Sequence, residues 1–160
     1  GIDGDPKVFS NPGEYELNGV TARAVMTPLA DGQSRDERNV AFTIEIGGIN
    51  ICHLGDISVP LTTRIVDDLK PVDVVLVPVG GHCTMDMDQI YQTLQDLDAK
   101  ITIPMHFKTD GTNVEVDPID NFVRRMGLDD VQPQPRLVVT STNLGTDMRV
   151  VVMTSQGRPR

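Results

Sequence analysis

The chain has 160 residues, 39% of them hydrophobic and 23% charged, enough to bury roughly 70% of the surface exposed by its unfolded form, and this excludes disorder along the whole length. With 23 acidic against 14 basic side chains the net charge is -9, a field that repels phosphate backbones, so no nucleic-acid partner is expected. No apolar run approaches the ~20 residues that cross a bilayer, and Gly1-Ile2-Asp3-Gly4-Asp5-Pro6 lacks both regions of a signal peptide; the expectation is one domain over residues 1–160, cytoplasmic and without a membrane partner.

In chain order, runs rich in β-branched residues and bounded by turn residues predict strands at 7–10, 13–17, 20–27, 40–46 and 49–53. Asn18-Gly19 and Gly47-Gly48 both tolerate positive φ and suit two-residue hairpin turns. The first third therefore reads as an antiparallel meander, with the polar stretch 29–39 as a surface loop.

Past Asp56 the periodicity changes. Pro60 opens a predicted helix with Leu61, Ile65, Val66 and Leu69 on one face, stopped by Lys70-Pro71. Residues 72–79 form a near-continuous apolar run, the mark of a strand covered on both faces. Thr84 precedes a second helix in which Met87, Ile90, Tyr91, Leu94 and Leu97 recur at helical spacing, with Asp86 and Asp88 favouring its N-terminus. A buried strand follows at 101–103. Asp117 and Pro118 begin a third helix carrying Ile119, Phe122, Val123 and Met126 and ended by Gly127, and two strands at 137–141 and 149–154 close the chain. The order ββββ(β) then αβαβαββ predicts a layered α/β arrangement with helices stacked on one face of a sheet.

Two of the strand ends carry side chains that hold metals. Asp56 follows Gly55 directly, and His106 follows Pro104-Met105; carboxylate oxygen and imidazole nitrogen are donors that Zn²⁺ or Mn²⁺ accept. Gly55 lets the backbone turn sharply at the carboxyl edge, where open α/β sheets place their ligands. Asp56 also fits a helix cap or a turn, and His106 a hydrogen-bonded structural histidine. Two ligands fall short of the roughly three protein ligands plus water of a hydrolytic zinc centre.

The third loop at that edge is Pro78-Val79-Gly80-Gly81-His82-Cys83-Thr84. Gly80 and Gly81 allow backbone amides to approach a substrate, and Thr84 is placed to cap the helix behind them. His82 reads as a proton donor or ligand, or else as an exposed loop histidine. His53 shares the strand face of Ile49 and Ile51 and is expected to be buried and hydrogen-bonded, orienting the Asp56 turn. Cys52 and Cys83 read as buried reduced thiols in preference to a structural disulfide; nothing basic surrounds Cys83 to make it a thiolate nucleophile.

Taken together, Pro12-Gly13-Glu14-Tyr15-Glu16, Arg38-Asn39, Cys52-His53-Leu54-Gly55-Asp56, the run from Asp73 to Gly81 and Pro104-Met105-His106-Phe107 resemble the metallo-β-lactamase fold superfamily. The likeness is to the branch similar to L-ascorbate-6-phosphate lactonase and to Zn-dependent hydrolase relatives. It implies an α/β layered sandwich (αββα), with Asp56 bridging two metals and His106 a ligand of the second. The HxHxDH loop of that family has no match here, nor is there a histidine in 25–39, so the chain is expected to be a C-terminal portion lacking the N-terminal part of the first half.

The resemblance implies a hydrolase of an ester, lactone or phosphoester-type small molecule acting through a metal-activated water. Asp56 and His82 are then catalytic, Gly80, Gly81 and Thr84 frame the substrate, and Zn or Mn is the cofactor, held weakly by this chain alone. The alternative is a non-catalytic, degenerate module whose uncovered sheet face drives homo-oligomerisation or binds a partner.

Overall fold

A computed structural model describes residues 4–82 and 84–155, the side chain of Arg35 aside. Its strands are β1 (Gly13–Leu17), β2 (Val20–Met26), β3 (Val40–Ile46), β4 (Ile49–His53), β5 (Val74–Pro78), β6 (Ile101–Met105) and β7 (Arg149–Val150), and its helices are α1 (Thr63–Leu69), α2 (Met87–Leu97) and α3 (Asp120–Arg125). The strands form one sheet in chain order. β1 to β4 pair antiparallel and β4 to β7 parallel.

The meander forms because its turns are local chemistry. Leu17 pairs with Val20 and Ile46 with Ile49, leaving two-residue turns in which Asn18 and Gly19 have φ of 54° and 78° and Gly47 and Gly48 of 61° and 75°. Both pairs supply the positive φ that matches a hairpin to the strand twist.

The helices start where side chains cap them. Thr62 accepts from the Ile65 amide, so α1 begins past Pro60; it ends at Lys70, whose extended ψ of 154° suits the residue before a proline. α2 starts from a reciprocal Asp86–Gln89 capping box, not from Thr84. α3 begins at Asp120, so Asp117 does not cap it.

All three helices cover one face of the sheet, where Ala41, Cys52, Val75 and Val77 pack with Val66, Leu69, Ile90, Leu94, Leu97 and Phe122. On the other face Ile49, Val74, Ile101 and Val151 are covered by Leu137, Val139 and Leu144. That cover does not extend over β3, where Ile46 is 50% exposed and Phe42 and Ile44 are half-buried.

Three strand expectations change. Residues 7–10 are irregular, with Val8 80% exposed and Phe9 stacked on Tyr15, ring centroids 4.3 Å apart; an aromatic contact holds this segment in place of a ladder. Residues 137–141 form no strand: the apolar alternation of Leu137 and Val139 serves packing onto the sheet face. The closing strand shrinks to β7, with the Gln134–Met153 bridge beyond it. Among the described residues no helix is long and apolar enough to cross a membrane.

Candidate functional site

Because β4, β5 and β6 run parallel, their carboxyl ends share one edge. His53 pairs with Leu76 and Leu76 with Ile103, and the bonds from Leu54 N to Leu76 O (3.1 Å) and from Val79 N to Met105 O (3.0 Å) carry this register past the strand ends. Asp56 lies two residues past Leu54, beyond the turn at Gly55, and His106 one residue past the end of β6. Asp56 and His106 therefore both follow strand ends at the carboxyl edge of the sheet, β4 and β6 being separated by β5.

Asp56 is exposed and sits in a tightly held turn. Gly55 has φ 65°, and its amide donates to His53 Nδ1 at 3.0 Å. The Asp56 amide donates to Asn39 Oδ1 at 3.1 Å, and Asn39 Nδ2 donates to Leu54 O at 2.7 Å and to Thr27 Oγ1 at 3.1 Å. Ser58 Oγ donates to Gln33 Oε1 at 3.1 Å, a second link from the 29–39 loop to this turn. Thr62 caps α1, so Asp56 is not spent on capping. His53 supports the turn by its hydrogen bond but is exposed rather than buried, since it lies at the strand end beyond the cover of Leu137 and Val139.

His106 is half-buried with φ 54°, and its Nδ1 is buried without a hydrogen-bond partner. Buried polar atoms are ordinarily paired; His106 Nδ1 and Thr102 Oγ1 are the two without a partner among the described residues, and of the two the imidazole nitrogen is a donor that divalent metals accept. Gly80 is buried beneath it: a Cβ at 80 would collide with the His106 carbonyl oxygen and stand 2.9 Å from Val116 Cβ. Close packing of two loops therefore explains the glycine at 80, in place of an opening for an anion.

His82 is exposed, with φ 59°, and its Nε2 lies 3.6 Å from Asp117 Oδ1. The Asp117 backbone joins the two loops, its amide donating to Gly80 O at 2.8 Å and its carbonyl accepting from Lys108 N at 2.9 Å. Thr84 closes a turn by donating through its amide and hydroxyl to Gly81 O, in place of capping α2. Cys83 lies outside the described residues. Cys52 is fully buried, and burial pushes its thiol up from 9.0 to about 12, with a Thr43 hydrogen bond offsetting part of this; it is no nucleophile.

Asp56 and His106 thus follow the ends of β4 and β6 at one edge of the sheet, Gly80 packs against His106, and His82 is paired with Asp117. Among the described residues no three His, Cys, Asp or Glu side chains stand close enough to hold an ion. The parts played by Asn39 and Asp117 were not foreseen: Arg38-Asn39 entered only as part of the family resemblance, and Asp117-Pro118 carried a helix-start signal that hid its other use. A cavity of about 450 Å³ lined by Glu14, Arg23, Thr43, Glu45 and Asn50 lies toward the amino end of β4, away from this rim.

Residues 1–106 match the family described as beta-lactamase superfamily domain. The chain is similar to a UPF0173 metal-dependent hydrolase of Carboxydothermus hydrogenoformans, 32% identical over 104 residues, covering 61% of this chain and 45% of that protein. It is 33% identical over 112 residues to one of Thermoplasma volcanium, covering 68% and 49%. The chain spans about half the length of these curated relatives. A crystal structure from Thermotoga maritima, assigned as a Zn-dependent hydrolase of the metallo-beta-lactamase superfamily, superposes with TM-score 0.77 and 33% identity over 92% of this chain and 71% of that one. The metallo hydrolase Igni18 of Ignicoccus hospitalis, at TM-score 0.61 and 22% identity over 91% and 57%, shares the fold alone.

Proposed function

The chain belongs to the beta-lactamase superfamily, with the layered α/β fold of the metallo-β-lactamases, and on that premise we propose that its carboxyl rim serves a metal-dependent hydrolase of an ester, lactone or phosphoester-type small molecule. The observation that carries this reading is the buried, unpartnered Nδ1 of His106 on the same rim as Asp56. These two side chains would hold a divalent metal, Zn²⁺ or Mn²⁺. When bound, such a metal supplies Lewis acidity and brings the pKa of water toward ~7.

The remaining roles belong to the chain's own groups. His82, steadied by Asp117, hands a proton to the leaving group; Gly81 and Thr84 border the substrate; Gly80 keeps the His106 loop packed; and His53 holds the Gly55 amide. A cytoplasmic setting, in which Cys52 stays a thiol, completes the reading. The test is metal uptake by the chain at equilibrium: binding of Zn²⁺ or Mn²⁺ that is lost in Asp56→Ala and in His106→Ala supports it, and uptake unchanged by both substitutions contradicts it.

A second reading, a self-associating module without catalysis, is favoured by one observation. Ile46 is 50% exposed beside half-buried Phe42 and Ile44, an apolar strip suited to a second copy.

A further inference from the structure

We propose that Asn39 is the positioning residue of this centre, its carboxamide setting the turn that presents Asp56. The inference rests on the metal reading of Asp56.

The β3–β4 ladder ends with Phe42 opposite His53. Continued in the same register, it would place Asn39 opposite Asp56, but Gly55 at φ 65° turns the chain away. The Asn39 side chain fills the gap left by the missing backbone pairing. Its Oδ1 accepts from the Asp56 amide at 3.1 Å and its Nδ2 donates to Leu54 O at 2.7 Å, so one planar amide spans the turn from both sides as a strand peptide would. The second Nδ2 proton goes to Thr27 Oγ1 at 3.1 Å, and the Asn39 carbonyl accepts from the Thr27 amide at 3.0 Å.

Few side chains other than asparagine do this at that length. Aspartate has no proton for Leu54 O, serine is too short to reach both groups, and glutamine is one methylene too long. Gly55 completes the lock, because a Cβ there would overlap Asn39 Oδ1. Groups that orient a metal's ligands govern affinity without touching the ion.

The experiment uses the whole chain and two readouts: Zn²⁺ affinity by competition with a chelating dye, and hydrogen exchange of the Asp56 amide by NMR. Asn39→Ala is expected to weaken Zn²⁺ binding roughly 10- to 100-fold and to speed Asp56 amide exchange at least about tenfold. Thr27→Val, which removes the Thr27 hydroxyl but neither bond to the turn, is expected to change neither. Asn39→Ser, the gentler lesion, serves if Asn39→Ala does not fold and is expected to move both readouts in the same direction. Wild-type exchange and wild-type affinity in the Asn39 variants overturn the proposal, as does a Thr27→Val loss equal to theirs, which would mark a merely structural loop. If the wild-type chain binds no Zn²⁺, the metal reading falls, while Asp56 exchange still decides whether Asn39 sets the turn.

Discussion

His82 and Asp117 face each other from two different loops, Nε2 to Oδ1 at 3.6 Å, and the backbone of Asp117 holds those loops together. Both side chains are 45% exposed, so their attraction adds at most about 1 kcal/mol to stability, and its use lies in orientation. His82→Ala is therefore expected to leave the fold and the metal uptake intact while lowering turnover of a responsive substrate by roughly 10²- to 10⁴-fold. Asp117→Asn should act in the same direction and more weakly. Metal content measured beside turnover checks this; a His82→Ala protein that loses its metal would contradict the assignment.

Gly80 lies against the loop that presents His106. Replacing it with alanine drives a methyl group into the His106 carbonyl and to 2.9 Å from Val116 Cβ. A clash with backbone is relieved only by moving the loop, at a cost of about 1–3 kcal/mol. Urea unfolding of Gly80→Ala should show this loss together with weaker Zn²⁺ binding. Unchanged stability would mean the two loops are not packed as described.

Cys52 predicts an alkaline limit on stability. Its folded thiol is pushed up from 9.0 to about 12, so between these values the unfolded chain releases a proton that the folded chain keeps. Stability is full below pH 9 and falls as pH rises toward 12, with a slope of up to about 1.4 kcal/mol per pH unit from this group. In urea titrations at pH 8 to 11, Cys52→Ala should be less stable at neutral pH but should show a shallower alkaline decline. Equal slopes in the two proteins would contradict the burial argument.

The apolar strip on β3 carries the prediction for self-association. If Ile46, Phe42 and Ile44 meet a second copy, sedimentation velocity should show concentration-dependent growth that Ile46→Asp abolishes without unfolding the protein. Growth indifferent to Ile46→Asp would move the contact elsewhere.

Much of the fold was legible because its signals are local. Asn18-Gly19 and Gly47-Gly48 announce their hairpins through the φ values they permit, and the stripe of Ile90, Leu94 and Leu97 announces α2. The errors fall where one pattern has two physical uses. Leu137 and Val139 alternate as in a strand, yet they cover the sheet face without joining a ladder. Asp117-Pro118 has the form of a helix start, yet the Asp117 carboxylate faces His82. Asp56 and His106 were readable as candidates because each closely follows an apolar strand run; the part played by Asn39 was not, since it depends on the β3–β4 register and on groups 15 and 17 residues away.

The reading of Asp56 and His106 as ligands of one divalent ion is tested most directly at the histidine rings. The chain has three histidines, so Zn²⁺ titration into ¹⁵N-labelled protein, followed at the imidazole nitrogens, separates them. Zn²⁺ is expected to move the His106 ring signals, and Asp56→Ala to remove the effect. His106 signals that stay still, or that move equally in Asp56→Ala, would contradict it.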